Sequence, residues 1–266
     1  MSEKIIGRVI YSLKLEERMH YMKKTLNANQ LKLIAVCAMI FDHLIWVIQP
    51  GYTGGIFLIL HLIGRIVAPI FCFFISEGAY YTHDRKKYLT RLLIFAVISH
   101  FAYCFAFGIN FIPFSNGTFF NQTSIMWSLA LGLIGIIIQD SNLNNKLKAG
   151  LVILLCILGF PSDWSSVAVM IIIYDYVYRK DFKKQMKIQT IFSGIYAAVY
   201  CAFINVFYGL LQMGTVLAIP LLNKYNGQRG KWAGMKYFFY LIYPIHLIVC
   251  GIIRIYLHGN ISAMIG

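Results

Sequence analysis

Residues 31–48 read Leu-Lys-Leu-Ile-Ala-Val-Cys-Ala-Met-Ile-Phe-Asp-His-Leu-Ile-Trp-Val-Ile. As a helix rising 1.5 Å per residue, this stretch is long enough to cross a bilayer. Its only charged residues or histidines are a lysine at the start and an Asp-His pair in the second half. Similar stretches follow one another to the end of the chain. Read by apolar length and by the charged breaks between them, they cover 31–48, 56–80, 88–107, 124–139, 147–160, 166–178, 188–207, 211–222 and 237–257. The fifth, sixth and eighth are short for a bilayer, which calls for extension by neighbouring residues, tilt or partial re-entry. The expected fold is all-α: a polytopic transmembrane helical bundle of about nine spans. Residues 1–30 form a basic segment ahead of a single transmembrane domain, 31–266.

Composition agrees. The chain has 266 residues, 59% of them hydrophobic and 13% charged, where a soluble domain carries roughly 25% charged residues. No length remains for a separate soluble domain. A net charge of +14 in a soluble protein would point to nucleic acid, but here the cations sit between apolar stretches, as orientation signals do. Nucleic acid is therefore not an expected partner. Six basic residues precede the first stretch: Lys4, Arg8, Lys14, Arg18, Lys23 and Lys24. The next connection has none; the one after has Arg85, Lys86 and Lys87, with Arg91 just inside the third stretch. The alternation continues through Lys146 and Lys148, then the cluster from Arg179 to Lys187, then Lys224, Arg229, Lys231 and Lys236. Every intervening connection lacks Lys and Arg. The positive-inside rule then puts the N-terminus in the cytoplasm and the C-terminus outside. Ile6, Ile10 and Leu13 fall on one side of a short amphipathic helix suited to the membrane surface. The six cysteines lie within apolar stretches without CxxC spacing and read as small buried hydrophobes, so no metal site is expected.

Ionisable groups at membrane depth are costly and usually functional. Lys32 and His43 are eleven residues apart on one helix, hence on the same side and roughly 16 Å apart along its axis. Asp42 points about 100° away from His43 and should meet a cation on another helix. In the second stretch His61 and Arg65 are four apart and share a face. Gly64 permits close helix approach, and Pro69 should kink the helix one turn later. Arg65 needs a partner, and Asp42 is the candidate; the pair reads equally as an interhelical staple. Glu77 lies near the end of that stretch. In the last one, Pro244 frees a backbone carbonyl near His246. Asp175, His100 and Arg254 lie close to stretch ends and are expected to reach the interface. The long polar connection ending near Trp127 is expected to form part of an outer pocket.

Four patches carry a family resemblance: Leu31-Lys32-Leu33-Ile34-Ala35 leading to Phe41-Asp42-His43; Ile63-Gly64-Arg65-Ile66 with Pro69-Ile70-Phe71 and Glu77-Gly78; Arg85-Lys86-Lys87-Tyr88-Leu89 with Arg91-Leu92-Leu93-Ile94; and the run from Lys236 through Tyr243-Pro244-Ile245-His246-Leu247. In these the chain resembles the TraX family, polytopic bacterial membrane proteins named for the conjugative-pilus N-acetylation factor. It also has a likeness to the acyltransferase-3 enzymes, which carry a basic residue and a His eleven apart on an early helix. Here Lys32 stands where an Arg is usual, keeping the charge without the planar fork. The resemblance implies an acetyltransferase in a bacterial inner membrane. Acetyl-CoA would be the donor, and a peptide N-terminus, a glycan or a lipid head group the acceptor.

For that chemistry the expected catalytic residues are His43 as base, Arg65 facing the thioester oxygen with Asp42 holding it, and His246 as second choice for either role. Direct transfer and an acyl-histidine intermediate both fit. The expected substrate-binding set is Lys32, His61, Glu77, Arg85, Lys86, Lys87, Arg91, Lys236 and Tyr243, the cations holding the donor's phosphates. A proton-coupled transporter or flippase would also use buried Asp, Glu, His and Arg groups; the two halves of the chain show no repeat of the kind many transporters have. A non-enzymatic membrane scaffold is the third reading.

Overall fold

The computed structural model describes residues 24–50, 55–115, 119–232 and 234–262. The expected N-terminal surface helix lies outside them, as does the side chain of Lys236. The described elements are helical: α1 (Ala28–Ile48), α2 (Gly55–Gly64), α3 (Val67–Tyr81), α4 (Arg85–Phe107), α5 (Ile125–Gln139), α6 (Asn145–Gly159), α7 (Ser165–Val177), α8 (Phe182–Phe203), α9 (Val206–Gln212), a 3-10 turn (Met213–Leu217), α10 (Ala218–Asn223) and α11 (Met235–His258). Each of the nine apolar stretches falls on one of these helices or on a broken helix. Among the described residues, five segments are long and apolar enough to cross a membrane: Ala28–Ile48, Gly55–Tyr81, Arg85–Phe107, Val206–Asn223 and Tyr237–His258. Ile125–Gln139 and Ser165–Val177 are shorter apolar helices.

Local chemistry starts the helices where the charged connections end. Asn27 and Gln30 close a capping box on α1. Asp84, Asn144 and Asp181 accept hydrogen bonds from the backbone N–H three residues on, at the starts of α4, α6 and α8, which satisfies donors a helix start leaves open. Proline sets the break between α2 and α3. Pro69 has no N–H for the Arg65 carbonyl, and its ring crowds that carbonyl. The helix interrupts at Arg65–Ile66, with the Arg65 N–H turned to the Leu62 carbonyl at 3.2 Å. The expected kink is thus a two-residue break located at Arg65 itself.

Helix α11 packs on α4 and α1, α5 packs among α4, α6 and α7, and α3 joins α1 to α7. One buried core runs through the bundle, with a satellite where α5, α6 and α7 meet. The outside is also apolar: Leu241, Ile245, Ile248, Ile252 and Ile255 form an exposed stripe along α11, and Ile94, Val97, Ile98 and Phe101 are exposed on α4. Helices hydrophobic both inward and outward suit a hydrocarbon surround. Cys37 belongs to this outer surface rather than to the core.

Two residues expected at the interface are instead interior. Arg254 is 1% exposed. It donates to the carbonyls of Ala106 and Phe105 at 3.0 and 3.1 Å and to those of Gly259 and Ile261. The last turn of α4 leaves carbonyls without helical partners, and the guanidinium collects two of them because residues 259–261 fold back over it. Asp175 is fully buried, accepting a hydrogen bond from Gln189 Nε2 at 2.7 Å. Helix α8 returns alongside α7 and covers it. His100 remains partly exposed, bonded to Thr123 and to the Phe111 carbonyl.

Candidate active site

Asp42 and His43 diverge as helical geometry requires, one towards α2 and the other towards α11. The Asp42 carboxylate accepts from His61 Nδ1 at 2.6 Å and from Arg65 Nη2 at 2.9 Å. All three are largely buried. Gly64 makes this approach possible, since a Cβ there would overlap the Asp42 carboxylate. Arg65 Nη1 donates to Gln212 Oε1 at 3.2 Å, and Nε to the His61 carbonyl at 3.3 Å. That carbonyl is free because the helix break gives the Arg65 N–H another acceptor. Arg65 thus spends three of a guanidinium's five N–H groups on protein and keeps two. Trp46 packs over the His61 ring and stacks on Tyr208.

His43 meets His246. Their Nδ1 and Nε2 atoms are 2.8 Å apart, with ring planes within 11°. His246 Nδ1 lies 2.8 Å from the Ile242 carbonyl, which can only accept. In a neutral pair His246 therefore carries its proton on Nδ1, and its Nε2 accepts from His43 Nδ1–H. The His43 lone pair is left on Nε2. Phe107 packs edge-on against the His43 ring at 5.6 Å and helps hold its orientation. The carbonyl used is that of Ile242, not the Tyr240 carbonyl that Pro244 leaves without its helical donor.

Both networks open on one cavity of about 90 Å³. Asp42, His43, Arg65, Tyr243 and Asn121 line it, together with residues that the linear sequence did not single out: Asp163, Gln212, Tyr103, Tyr196, Tyr200 and Tyr208. Asp163 lies in the turn between α6 and α7. Its N–H donates to the Thr123 carbonyl at 2.8 Å, and Gln122 N–H to the Pro161 carbonyl at 2.7 Å. This pairing of two connections fixes the turn, as does the contact between Ser128 and Ser162 hydroxyls. Trp164 and Ser165 both have positive φ, 64° and 49°, which is uncommon away from glycine. Trp164 stacks on Tyr196 beside the cavity. Burial pushes the Asp163 carboxyl up to about 6, against the pull of Arg65 and with the help of Asp42. An Asp-Trp pair in a connection without Lys or Arg was the one sequence signal for this turn. From the connection before α5, Asn121 lines the cavity and donates to the Tyr200 hydroxyl at 3.2 Å.

The expected binding residues divide. His61 joins Asp42, and Tyr243 lines the His43 cavity. Lys32, Glu77 and Arg91 line a second cavity of about 480 Å³ near the other end of α1. Arg85 lines neither cavity: Nη1 pairs with Asp140 at 2.6 Å, while Nη2 and Nε donate to Tyr176 and the Ala79 carbonyl. Lys87 is exposed beside Asp84, and Lys86 is exposed on the same turn. Among the described residues no three His, Cys, Asp or Glu side chains are grouped to hold a metal ion.

Comparison with known proteins matches residues 27–254 to the TraX protein family. A probable fimbrial assembly protein of serogroup H1 from Dichelobacter nodosus is 28% identical over 229 residues, 83% of this chain and 93% of that protein. An uncharacterized protein of Rickettsia prowazekii (strain Madrid E) is 40% identical over 75 residues, 28% of this chain and 26% of that one. No solved structure matches. The family match spans both cavities and every helix from α1 to most of α11: the chain belongs to the TraX family.

Proposed function

We propose that the chain is a membrane-embedded acetyltransferase of the bacterial inner membrane. It moves an acetyl group from cytoplasmic acetyl-CoA to an amine or hydroxyl at the outer side. The observation that carries this reading is the His43–His246 pair, which leaves the Nε2 lone pair of His43 uncommitted beside a small cavity that His43 and Arg65 both line. Nine crossings are proposed, with a cytoplasmic N-terminus and the C-terminus outside. Supporting them, helix ends that the charge alternation assigns to one side meet in space. Lys32, Glu77, Arg91 and Arg229 share one cavity; Trp46, Phe107, Asp163 and Tyr200 share the other. A relative named for fimbrial assembly favours a fimbrial or pilus subunit as acceptor.

In the transfer, the acceptor nitrogen or oxygen attacks the thioester carbon while His43 Nε2 takes its proton. The imidazolium is shared along the hydrogen bond to His246. Negative charge grows on the former carbonyl oxygen, and the two spare N–H groups of Arg65 are suited to meet it. The tetrahedral adduct collapses, the C–S bond breaks, and the departing CoA sulfur takes the proton from His43. Thioester and acceptor have then become acetylated acceptor and free CoA thiol. Were His43 instead the nucleophile, the same Nε2 would carry the acetyl group.

The test is transfer of isotopically labelled acetyl from acetyl-CoA to a fimbrial-subunit peptide by protein in liposomes. His43→Ala should lower the rate about 10²–10⁴-fold, the usual worth of a general base, with unchanged thermal stabilisation by CoA. More than a tenth of the wild-type rate in that variant (roughly) sinks the assignment. Proton flux without any acetylated product would favour a transporter instead.

A further inference from the structure

The inward face of α8 is polar. Gln185, Gln189, Ser193, Tyr196 and Tyr200 recur at helical spacing, and all are buried. Polar groups inside an apolar bundle are costly and mark ion or proton routes. Beside this face, Asp175 of α7 is fully buried. Gln189 Nε2 donates to its Oδ2 at 2.7 Å, and Gln185 Nε2 to its backbone carbonyl at 2.6 Å. Among the described residues its Oδ1 has no hydrogen-bond partner, and no cation pairs with the group. Ionised, it would stand in the interior without a counter-ion. Two titratable groups of α3 lie within electrostatic reach of it. Cys72 donates to the Ala168 carbonyl at 3.9 Å, and Glu77 pairs with Arg179 at 2.9 Å. Helix α5 carries no titratable residue. Lys183, Lys184 and Lys187 of α8 and Lys146 of α6 are exposed, and Lys148 is bonded to the Gln139 carbonyl.

The polar face leads from Asp175 to the smaller cavity. Ser193 Oγ, one turn beyond Gln189, is buried without a partner, as is Thr215 Oγ1 in the 3-10 turn that packs on α8. Tyr196 then donates to the Tyr200 hydroxyl at 2.9 Å, and both line the space shared by His43, Arg65 and Asp163. From Gln189 to Tyr196 the helix rises about 10 Å. At the other end Glu77 lines the larger cavity, beside Lys32 and Arg229. A staple between α7 and α8 needs only the two glutamines and gives no reason for the unpartnered oxygens beyond them. Such atoms are where buried water binds. We propose that Asp175 and this face of α8 form a proton path, bridged by water, between the basic end of the bundle and the His43 cavity. An acceptor that arrives as an ammonium must lose one proton before it attacks. His43 takes that proton and passes it to the path; the second, lost in the attack, goes to the CoA sulfur. Ammonium and acetyl thioester thus give acetylated amine, free thiol and one proton, which leaves by way of Asp175. This use rests on the transfer reading; the path does not.

The experiment places the full chain in nanodiscs and follows protonated carboxyl groups by infrared spectroscopy after a change to heavy water. The band lost in Asp175→Asn belongs to Asp175; Asp175→Glu, which moves the band, assigns it if the first variant misfolds. The band should shift well before the slowest backbone amides exchange. A dry staple would exchange only with those amides, on unfolding. In acetyl transfer to an amine, Asp175→Asn should lower the turnover number severalfold and leave the Michaelis constant for acetyl-CoA level. Asp175→Glu, or azide as a small proton carrier, should restore it. Ser193→Val should leave the exchange at Asp175 fast and also lower turnover. Exchange only with the slowest amides, or no band from Asp175, would overturn the path. Turnover untouched by both Asp175→Asn and Ser193→Val would reduce it to a blind water pocket and overturn it as well. Fast exchange in a protein that transfers no acetyl group would sink the transfer reading and leave the path standing.

Discussion

The two cavities treat charge in opposite ways. Around His43 the ion pair is answered by protein on every side: Asp42 is held by His61 and Arg65, and Arg65 also by Gln212 and a backbone carbonyl. Around Lys32 the cations face open space and aromatic rings, and the local carboxylate is taken by Arg179. A network satisfied before any ligand arrives suits chemistry, because its dipoles need not reorganise as charge develops. Cations left uncompensated suit binding, because an incoming anion relieves their cost.

The largest contrast should come from deleting one cation in each place. Arg65→Ala strands the Asp42 carboxylate in the interior with only His61. Breaking a buried pair in this way costs about 3–5 kcal/mol of stability. Lys32→Met removes a charge that has no ion partner and replaces it with an apolar chain of similar length. In ligand-free protein it should be neutral or stabilising by about 1–2 kcal/mol, since buried charges replaced by hydrophobes often gain stability. Unfolding free energies in one detergent, without nucleotide, decide the matter. Equal losses in the two variants would mean that Lys32 has a protein partner and that the contrast is false.

A smaller effect concerns the histidine pair. His246 supplies an acceptor to His43 Nδ1–H and thereby fixes which nitrogen faces the cavity. His246→Leu removes that acceptor and lets His43 adopt the other tautomer. A hydrogen bond contributes about 0.5–1.5 kcal/mol, so the turnover number should fall by up to about tenfold. In the proposed reaction the Michaelis constant for acetyl-CoA should stay level, because the substitution touches none of the cations expected to hold the donor's phosphates. His246→Gln, whose amide oxygen can accept, should recover part of the loss. A purely structural role would move both kinetic constants and show no such recovery.

Much of this was legible in the linear chain for a physical reason. Helical periodicity and charged breaks are local, so the apolar segments and the divergence of Asp42 from His43 follow from neighbours alone. The Asp42–Arg65 pairing was legible because an intramembrane Arg beside a Gly has few places to turn. Arg85 was misleading: its partners Asp140 and Tyr176 are 55 and 91 residues away, and position in a basic cluster says nothing about them. Arg254 and Asp175 read as interfacial because distance from a helix end was all the sequence offered. What buries them is a returning tail in one case and a neighbouring helix in the other. Asp163 escaped notice because its setting is made by backbone pairing between two connections, which leaves no side-chain pattern.

Asp163 also supplies the mildest test of the paired cavity. It stands across the space from Asp42 and shares the influence of Arg65 without an ion pair to it. Its carboxyl is raised to about 6 from an ordinary 3.8, burial being the main cause. The folded protein therefore holds this proton more tightly than the unfolded chain does. Stability linked to Asp163 is lowest above pH 6, where the folded protein must carry the ionised form, and is gained as pH falls towards 4. Asp163→Asn cannot titrate. Its melting temperature should exceed that of wild type at pH 7.5, and the gap should shrink between pH 6 and pH 4. A gap that stays constant, or widens in acid, would show that Arg65 compensates Asp163 fully. The His43 cavity would then hold no charge left for a ligand to answer.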